Sequence, residues 1–490
     1  RNIKHLLKPK SIGIIGVSEK KNLGHIILNN VLKNGFSPDK VIVVKPGIDE
    51  IEGCRCVPAV ADIPGTVDMF VLAVSAEQSS VVMRELVRNE KARSVIIIAG
   101  GIGEKEGTED LEQDIQNMLA MGRKQGKMTP VVNGGNCLGI FSRPGFYDTT
   151  FVSDYKLYAL PRKEPRKEKL AFISQSGAFM ISRMSKLPYI EPAYAVSIGN
   201  QIDLTLSDYL NYFKDEDEIR IFAVYAEGFL HGDGLAFVRA ARELIKQGKT
   251  VLVYKAGRSP EGRAATASHT ASVAGDYRVS RAILEQAGVI VAEDIFEFEM
   301  YIKNLVFLSG KKIRGNRAGL ISNAGFECVI MSDSLTNDHP LELARFSLET
   351  EKRIKQIMQP LGIDRLQDIH NPVDITPVAD DEAFCGIVEA MLDDPGIDCA
   401  VVSPLPMSPA MQTLLPGEFH KEDLFREGST PLRIIEIFKK TEKPFVVSID
   451  TGEIYQPMVD LLEKHGVPVF RHSDEAVRFL RKFIAIHRLI

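Results

Sequence analysis

The chain lacks tryptophan altogether, and aromatic residues of all kinds make up only 7% of it. It also lacks a long hydrophobic run: no apolar stretch reaches the roughly 18 residues that a bilayer-spanning helix needs. It has no large charge excess of either sign. Sixty basic residues stand against 65 acidic ones, for a formal net charge of −5. No broad basic face is expected, which argues against nucleic acid as the main partner. Any phosphate-bearing ligand must be held by a local site. The six cysteines are Cys54, Cys56, Cys137, Cys328, Cys385 and Cys399. They form no CxxC pair and lie at no finger-type spacing from histidine. Buried thiols in a reducing, cytoplasmic setting are expected rather than zinc or disulfides. The first ten residues are basic, but an apolar strand with early glycines follows, which is not the layout of a secretory leader.

What is present is globular. Apolar residues make up 44% and charged residues 26%, which sets aside disordered, collagen-like and coiled-coil classes. At roughly 100–200 residues per domain, 490 residues predict about three domains. Short β-branched runs alternate with amphipathic stretches, the pattern of a doubly wound α/β protein. A first series of strands is predicted at 11–15, 41–44, 67–74, 94–99 and 130–133. Tyr155 to Lys169, with its PRKEPRKEK run, reads as a linker. A second series is predicted at 170–174, 193–198, 221–226, 251–255 and 289–291. Ser309 to Arg317 is a second basic break. The third series is 318–322, 399–403, 445–449 and 467–470.

The first strand runs into a glycine turn, Ser11-Ile-Gly-Ile-Ile-Gly-Val-Ser18, and Gly24 opens the next helix. Such a turn aims backbone N–H groups and a helix N-terminus at a phosphate, or merely closes a tight connection. The spacing is not GxGxxG, so the dinucleotide fingerprint is absent. The second strand ends in Lys45, where an NAD site would want a carboxylate for the ribose hydroxyls. A lysine suits a ligand with an additional phosphate, such as coenzyme A or NADP. Glycine-rich ends follow at Gly100, Gly101 and Gly103 and at Gly134-Gly-Asn-Cys-Leu-Gly139. Both fall where ligands bind in open sheets, beyond the carboxyl ends of strands.

The second series opens with Leu170-Ala-Phe-Ile-Ser-Gln-Ser-Gly-Ala178. Ser174, Ser176 and the start of a helix at Gly177 form a second anion-binding turn, or an ordinary serine cap. His269 lies among Ser, Thr, Ala and Gly in the segment from Lys255 to Gly275. Small neighbours leave room for a ligand, and a histidine there can act as a base or a phosphoryl acceptor. Glu227 ends the preceding strand on the same side of the predicted sheet. Its carboxylate can bond one imidazole nitrogen and leave the other nucleophilic.

These residues resemble the NDP-forming acyl-CoA synthetases, specifically the α part of the ADP-forming acetyl-CoA synthetases and, more distantly, the succinyl-CoA synthetase α subunit. The matching motifs are KPKSIGIIGVS (8–18), VDMFVLAVSA (67–76), GNCLG (135–139), ISQSGAF (173–179), IGNQIDLTLSDYL (198–210), YAEGF (225–229), KAGRSPEGRAATASHTASVAG (255–275), LISNAGF (320–326) and NPVDI (371–375). They cover nearly the whole chain in family order. The resemblance implies a Rossmann-like CoA-binding domain at 1–155. Two flavodoxin-like succinyl-CoA-ligase domains are implied to follow, at 168–310 and 315–490. It implies a phosphohistidine at His269 held by Glu227, and a phosphate cradle at Ser174, Ser176 and Gly177. Gly16, Ser18, Lys45, Ser75 and Asn136 fall where family members line the CoA site, with Asn136 nearest the thioester. The chain departs from the usual pattern at Gly134-Gly135-Asn136 (GPN in relatives), at Ala271 (SHTGS) and at Phe326 (NAGG).

No ATP-grasp region is recognisable, and 490 residues are expected not to hold a whole enzyme of this kind. ATP, ADP and Mg2+ are therefore expected on an ATP-grasp β subunit in a hetero-oligomer, or on a further segment, with no metal site of the chain's own. Two other readings compete. A non-catalytic CoA or acyl-CoA sensor needs only the first domain and leaves His269 idle. An NADP-dependent oxidoreductase is permitted by Lys45 but gives the SQSGA and SHTAS loops no role.

Overall fold

The computed structural model describes residues 3–103, 108–157, 166–167, 169–269, 276–335, 341–366 and 368–488. The chain divides into two compact units, Arg1–Ile302 and Lys303–Ile490.

The first unit opens with α1 (Lys4–Leu7) and β1 (Ile12–Ile15). Then come α2 (Leu23–Lys33), β2 (Val41–Val44), β3 (Glu50–Ile51), β4 (Cys54–Val57) and β5 (Val67–Leu72). The first sheet is completed by α3 (Ala76–Arg88), β6 (Ala92–Ile97), α4 (Glu109–Lys124) and β7 (Val131–Gly134). Its order is β3-β4-β2-β1-β5-β6-β7, parallel except where β3 pairs with β4. The run VDMFVL is buried along its whole length, as a strand covered by helices on both faces must be. From β1 the chain steps to β2 on one side and later to β5 on the other. The topological switch point is therefore the crevice between β1 and β5.

The chain continues through β8 (Ile140–Ser142), β9 (Tyr147–Asp148), β10 (Arg166–Lys167), β11 (Leu170–Ser174), α5 (Gly177–Ser185), β12 (Ile190–Glu191), β13 (Tyr194–Ser197) and α6 (Leu206–Tyr212). Next are β14 (Ile221–Ala226), α7 (Asp233–Lys246), β15 (Thr250–Lys255), α8 (Pro260–His269), α9 (Tyr277–Gln286), β16 (Ile290–Val291) and α10 (Ile295–Leu308). The second sheet runs β16-β15-β14-β11-β13-β8-β9, while β10 and β12 form a separate ribbon. Its switch point lies between β11 and β14. Within this sheet β8 and β9 have no counterpart in the series read from the sequence, and neither do the ribbon strands β10 and β12. Residues 140–148 leave the first sheet, and β8 pairs antiparallel with β13. The same segment keeps hold of α1: Ser142 Oγ donates to Leu7 O at 2.6 Å and Tyr147 OH to Leu6 O at 2.7 Å. One buried apolar cluster includes Ile12 and Ile14 of the first sheet and Ile173, Val196 and Val253 of the second. That shared core explains why both sheets fall in one compact unit. The expected 155–169 linker lies partly outside the described residues.

The second unit holds β17 (Arg317–Ser322), α11 (Gly325–Asp333), β18 (Glu342–Leu343), α12 (Leu348–Met358), β19 (Val373–Asp374) and α13 (Asp381–Asp393). It ends with β20 (Cys399–Ser403), α14 (Thr430–Lys440), β21 (Phe445–Ser448), α15 (Gln456–Lys464), β22 (Val469–Phe470) and α16 (Ser473–Arg488). Its sheet order is β18-β17-β20-β21-β22, with β19 also on β17. The break expected at 309–317 separates α10 from β17. All six cysteines are buried and none is disulfide-bonded. No helix among the described residues is long and apolar enough to cross a membrane.

A bidentate ion pair pins the segment after β13 to the first sheet. Arg123, near the end of α4, reaches Asp203 Oδ1 at 2.8 Å and Oδ2 at 2.7 Å, and Asp203 Oδ2 also accepts from Val132 N at 3.0 Å. The arginine is partly exposed, whereas the Asp203 side chain is only 4% exposed. Arg123→Met therefore leaves a buried carboxylate short of donors. We expect a loss of about 2 kcal/mol in unfolding free energy by urea denaturation, discounted for the exposed partner.

Candidate active site

The first sheet's carboxyl end gathers four of the residues singled out in the sequence. Gly16 follows β1 directly, with φ +96°. A side chain there would collide with the Ala73 carbonyl, its Cβ standing 2.7 Å from Ala73 C. Positive φ and this close approach both demand glycine. Asn22 caps α2 and donates from Nδ2 to Gly16 O at 2.7 Å. Its Oδ1 accepts from His25 N at 2.9 Å and Ser18 N at 3.3 Å. The turn is thus locked onto the helix start. Lys45 follows β2, and its ammonium reaches back to Val17 O at 3.4 Å. Ser75 lies three residues beyond β5 and caps α3, accepting from Gln78 N at 3.3 Å. Gly16, Ser18, Lys45 and Ser75 therefore surround the β1–β5 crevice, with two helix N-termini and one cation facing it. This is an arrangement for a polyphosphate-bearing ligand.

A line of loops leads from that crevice to the second sheet. A Cβ added at Gly101 would stand 4.0 Å from that of Ala76, the first residue of α3. Ala99 O accepts from Asn136 N at 2.7 Å, and Asn136 is exposed at the loop tip. Gly135 O and Gly134 O accept from Asn200 N and Ile202 N, each at 2.9 Å. Cys137 donates to Ile97 O at 3.2 Å, and burial pushes its thiol up to about 12, so it is no nucleophile. Leu138 N donates to Ser197 Oγ at 2.9 Å. Leu138 also abuts Gly177, where an added Cβ would stand 3.1 Å from Ser197 Oγ and overlap the Leu138 side chain. The loop after β7 and the first turn of α5 are therefore in direct contact.

Ser174, Ser176 and Gly177 form the turn from β11 into α5. Ser174 Oγ donates to Ser176 O at 2.6 Å, and Ser176 Oγ caps the helix by accepting from Phe179 N at 3.2 Å. The amides of this first helical turn are the anion-binding feature of such an end. Glu227 stands across the β11–β14 crevice. Gln175 Oε1 accepts from the N–H groups of Glu227 and Gly228, the latter at 3.1 Å. Tyr225 OH donates to Glu227 Oε1 at 3.1 Å. Burial, and then the nearby carboxylate, push the Tyr225 phenol up, so it remains a donor. Tyr225 is itself stacked on Phe179 of α5 with ring centroids 4.0 Å apart.

Lys255 at the end of β15 is fully buried. Its ammonium donates to Glu227 O at 2.6 Å and Ala256 O at 2.8 Å. It ties the Glu227 strand end to the chain entering α8. His269 is the last residue of α8; its side chain, and residues 270–275 with Ala271, lie outside the described residues. The structure thus brings Asn136, Ser174, Ser176, Gly177 and Glu227 to one line of loops. Gln175, Tyr225, Lys255 and Asn22 join them and had been assigned no role from the sequence. Gln175, Tyr225 and Lys255 lie within the family motifs. A lysine closing the apolar strand TVLVYK was the readable sign. In the second unit, Asn323 pins the equivalent turn, exchanging hydrogen bonds with Leu405 O and N at 3.1 and 2.7 Å. Phe326 projects into solvent from α11. Among the described residues no group of three His, Cys, Asp or Glu could hold a metal ion.

Residues 10–142 match the family model of a CoA binding domain. Residues 167–305 match that of a succinyl-CoA ligase like flavodoxin domain. The two models define a class of proteins that pair a CoA site with a ligase module. The chain is 31% identical over 489 residues to the acetate–CoA ligase [ADP-forming] I subunit alpha of Pyrococcus furiosus, covering 98% of this chain and 96% of that one. It is 32% identical over 486 residues to the acetate–CoA ligase [ADP-forming] I of Archaeoglobus fulgidus, covering 97% of this chain and 62% of that one. A solved structure of Ca. Korarchaeum cryptofilum dinucleotide forming acetyl-coenzyme A synthetase 1, in complex with phosphate and ADP, superposes with a TM-score of 0.84. It is 25% identical and the match covers 99% of this chain and 97% of that one. The chain belongs to the NDP-forming acyl-CoA synthetase family.

Burial pulls the Lys255 ammonium down to about 8, against the opposing pull of Glu227. Even the neutral amine keeps two N–H groups, one for each carbonyl. Its folded value lies below the ordinary 10.5, so between about 8 and 10.5 the folded chain binds fewer protons than the unfolded one. The stability contributed by this group is fully present above 10.5 and lost as pH falls through 8. The difference in unfolding free energy between wild type and Lys255→Met should shift in favour of wild type by on the order of 3 kcal/mol from pH 8 to 10.5, read by urea denaturation at each pH.

Proposed function

We propose that this chain is the α component of an ADP-forming acyl-CoA synthetase. It interconverts acyl-CoA, ADP and phosphate with a carboxylic acid, CoA and ATP. The observation that carries this reading is the continuous line of loops from the Gly16 turn through Asn136 to Gly177 and Glu227, in a chain of this family. We assign 1–155 to CoA binding, 168–310 to the phosphohistidine module and 315–490 to a companion ligase domain. The nucleotide and Mg2+ are assigned to an ATP-grasp β partner or a further segment. The subunit name of the Pyrococcus relative supports a partner. The setting is taken as cytoplasmic.

Gly16, Ser18, Lys45 and Ser75 hold the phosphate-bearing end of CoA, and the ligand follows the loops so that its thioester lies at Asn136. Inorganic phosphate sits at the start of α5, on the Ser174–Gly177 turn. A phosphate oxygen attacks the thioester carbonyl carbon. The C–O bond forms, the C–S bond breaks, and the CoA thiolate leaves and takes up a proton. An imidazole nitrogen of His269 then attacks phosphorus. The P–N bond forms, the P–O bond to the acyl group breaks, and the free carboxylate departs. Glu227 bonds the other ring nitrogen and stabilises the cationic imidazole as charge develops. The β-phosphate oxygen of ADP finally accepts the phosphoryl group and restores the histidine. Each intermediate retains the thioester's energy, so the sequence is reversible. Small residues around His269 suit a segment that carries the phosphoryl group between sites.

Incubation with [γ-32P]ATP, Mg2+ and an ATP-grasp partner should leave acid-labile, alkali-stable label on wild type. Label should vanish in His269→Ala and fall roughly a hundredfold in initial rate in Glu227→Gln, within the range for a lost general-base or electrostatic partner. CoA binding with no label in wild type would favour the regulatory, non-catalytic alternative. In calorimetric titration, Lys45→Ala should weaken CoA binding roughly tenfold, or about 1.4 kcal/mol. Tight NADP binding with no CoA binding would instead revive the oxidoreductase reading.

A further inference from the structure

The turn between β11 and α5 contains a donor that the steps above do not use. Gln175 is 4% exposed. Its Oε1 accepts from two backbone N–H groups, those of Glu227 and Gly228. This fixes which way the amide faces, because the flipped amide would oppose N–H to N–H. Nε2 is the end left over. It is buried and has no hydrogen-bond partner among the described residues. Buried donors of this kind are rarely left unmet in a working site. A carboxamide is planar and rigid, so Nε2 stays beside Oε1, above the crevice between the ends of β11 and β14. Helix α5 begins two residues further on and opens at the same crevice. The Ser174 hydroxyl is no substitute, since its proton is already given to Ser176 O.

We infer that Gln175 binds phosphate and positions Glu227 at once: Nε2 donates to a phosphoryl oxygen at the start of α5, while Oε1 holds the backbone that carries Glu227. This rests on the ligase reading above and names a further residue of that site. One rigid amide then links phosphate occupancy to the placement of the carboxylate across the crevice. A phosphate that pulls on Nε2 orients the same group that sets the Glu227 and Gly228 amides.

Gln175→Glu separates the two halves of this role. Glutamate keeps the length and the acceptor for both backbone N–H groups, but replaces the Nε2 donor by an anionic oxygen. The assay is phosphate-dependent release of CoA thiol from acetyl-CoA by the full chain, with inorganic phosphate varied. The apparent KM for phosphate should rise roughly tenfold or more, the effect of losing a hydrogen bond to a charged group. CoA affinity should be kept. An unchanged phosphate KM in Gln175→Glu, with wild type active, overturns the inference alone. Absence of phosphate-dependent thiol release in wild type, across a panel of short and aryl acyl-CoAs, overturns the ligase reading and this inference with it. Because a buried glutamate can also disturb the fold, a second measurement uses wild type. The side-chain amide 15N–1H pair of Gln175, assigned by its loss in Gln175→Met, should shift and exchange more slowly at saturating inorganic phosphate. An amide pair that does not respond to saturating phosphate overturns the inference as well.

Discussion

The first unit depends on the close approach of two loops that belong to different sheets. Gly177 opens α5 directly against Leu138, and no side chain fits between them. The contact is reinforced by Leu138 N on Ser197 Oγ at 2.9 Å. It places the first turn of a helix, with its unpaired amides, beside a loop that follows the first sheet. Without it, the CoA-type crevice at β1–β5 and the anion-type turn at β11–β14 would be separate pockets. With it, they become the two ends of one path. A glycine is needed because a Cβ there would overlap the Leu138 side chain, so even a methyl group would force the loop or the helix start to shift.

The polar groups along this path are arranged so that few are left to water. Buried polar side chains at strand ends cost free energy unless they are bonded. Here the bonding partners are mostly backbone. Asn22 holds the Gly16 carbonyl, Gln175 holds two amides at Glu227, and Lys255 holds the Glu227 and Ala256 carbonyls. Side chains that brace backbone produce a stiff frame, and stiffness is what an acyl or phosphoryl transfer requires of its anion sites.

Much of this was legible beforehand. The strands at 41–44, 170–174, 221–226 and 399–403 coincide with their expected ranges, because β-branched runs buried on both faces leave no other conformation that satisfies them. The glycine turns after 15, 134 and 176 were readable for the same kind of reason: positive φ or close approach admits one residue. The crossing of β8 into the second sheet was not legible. Three residues, IFS, carry no information on which strand they will pair with. Nor was the hold of Gln175 and Lys255 on the Glu227 backbone, because those bonds join residues 52 and 28 positions apart in sequence.

The sequence by itself determined the class of fold, the order of the motifs and the residue types at each strand end, since hydrophobic period, glycine placement and helix caps are local physics. Only the tertiary structure decided that Arg1–Ile302 packs as one compact unit and that Leu138 lies against Gly177. Only it, too, showed that one carboxamide reaches across the crevice to Glu227. Those outcomes depend on distances between segments far apart in the chain, and no local preference encodes a distance of that kind.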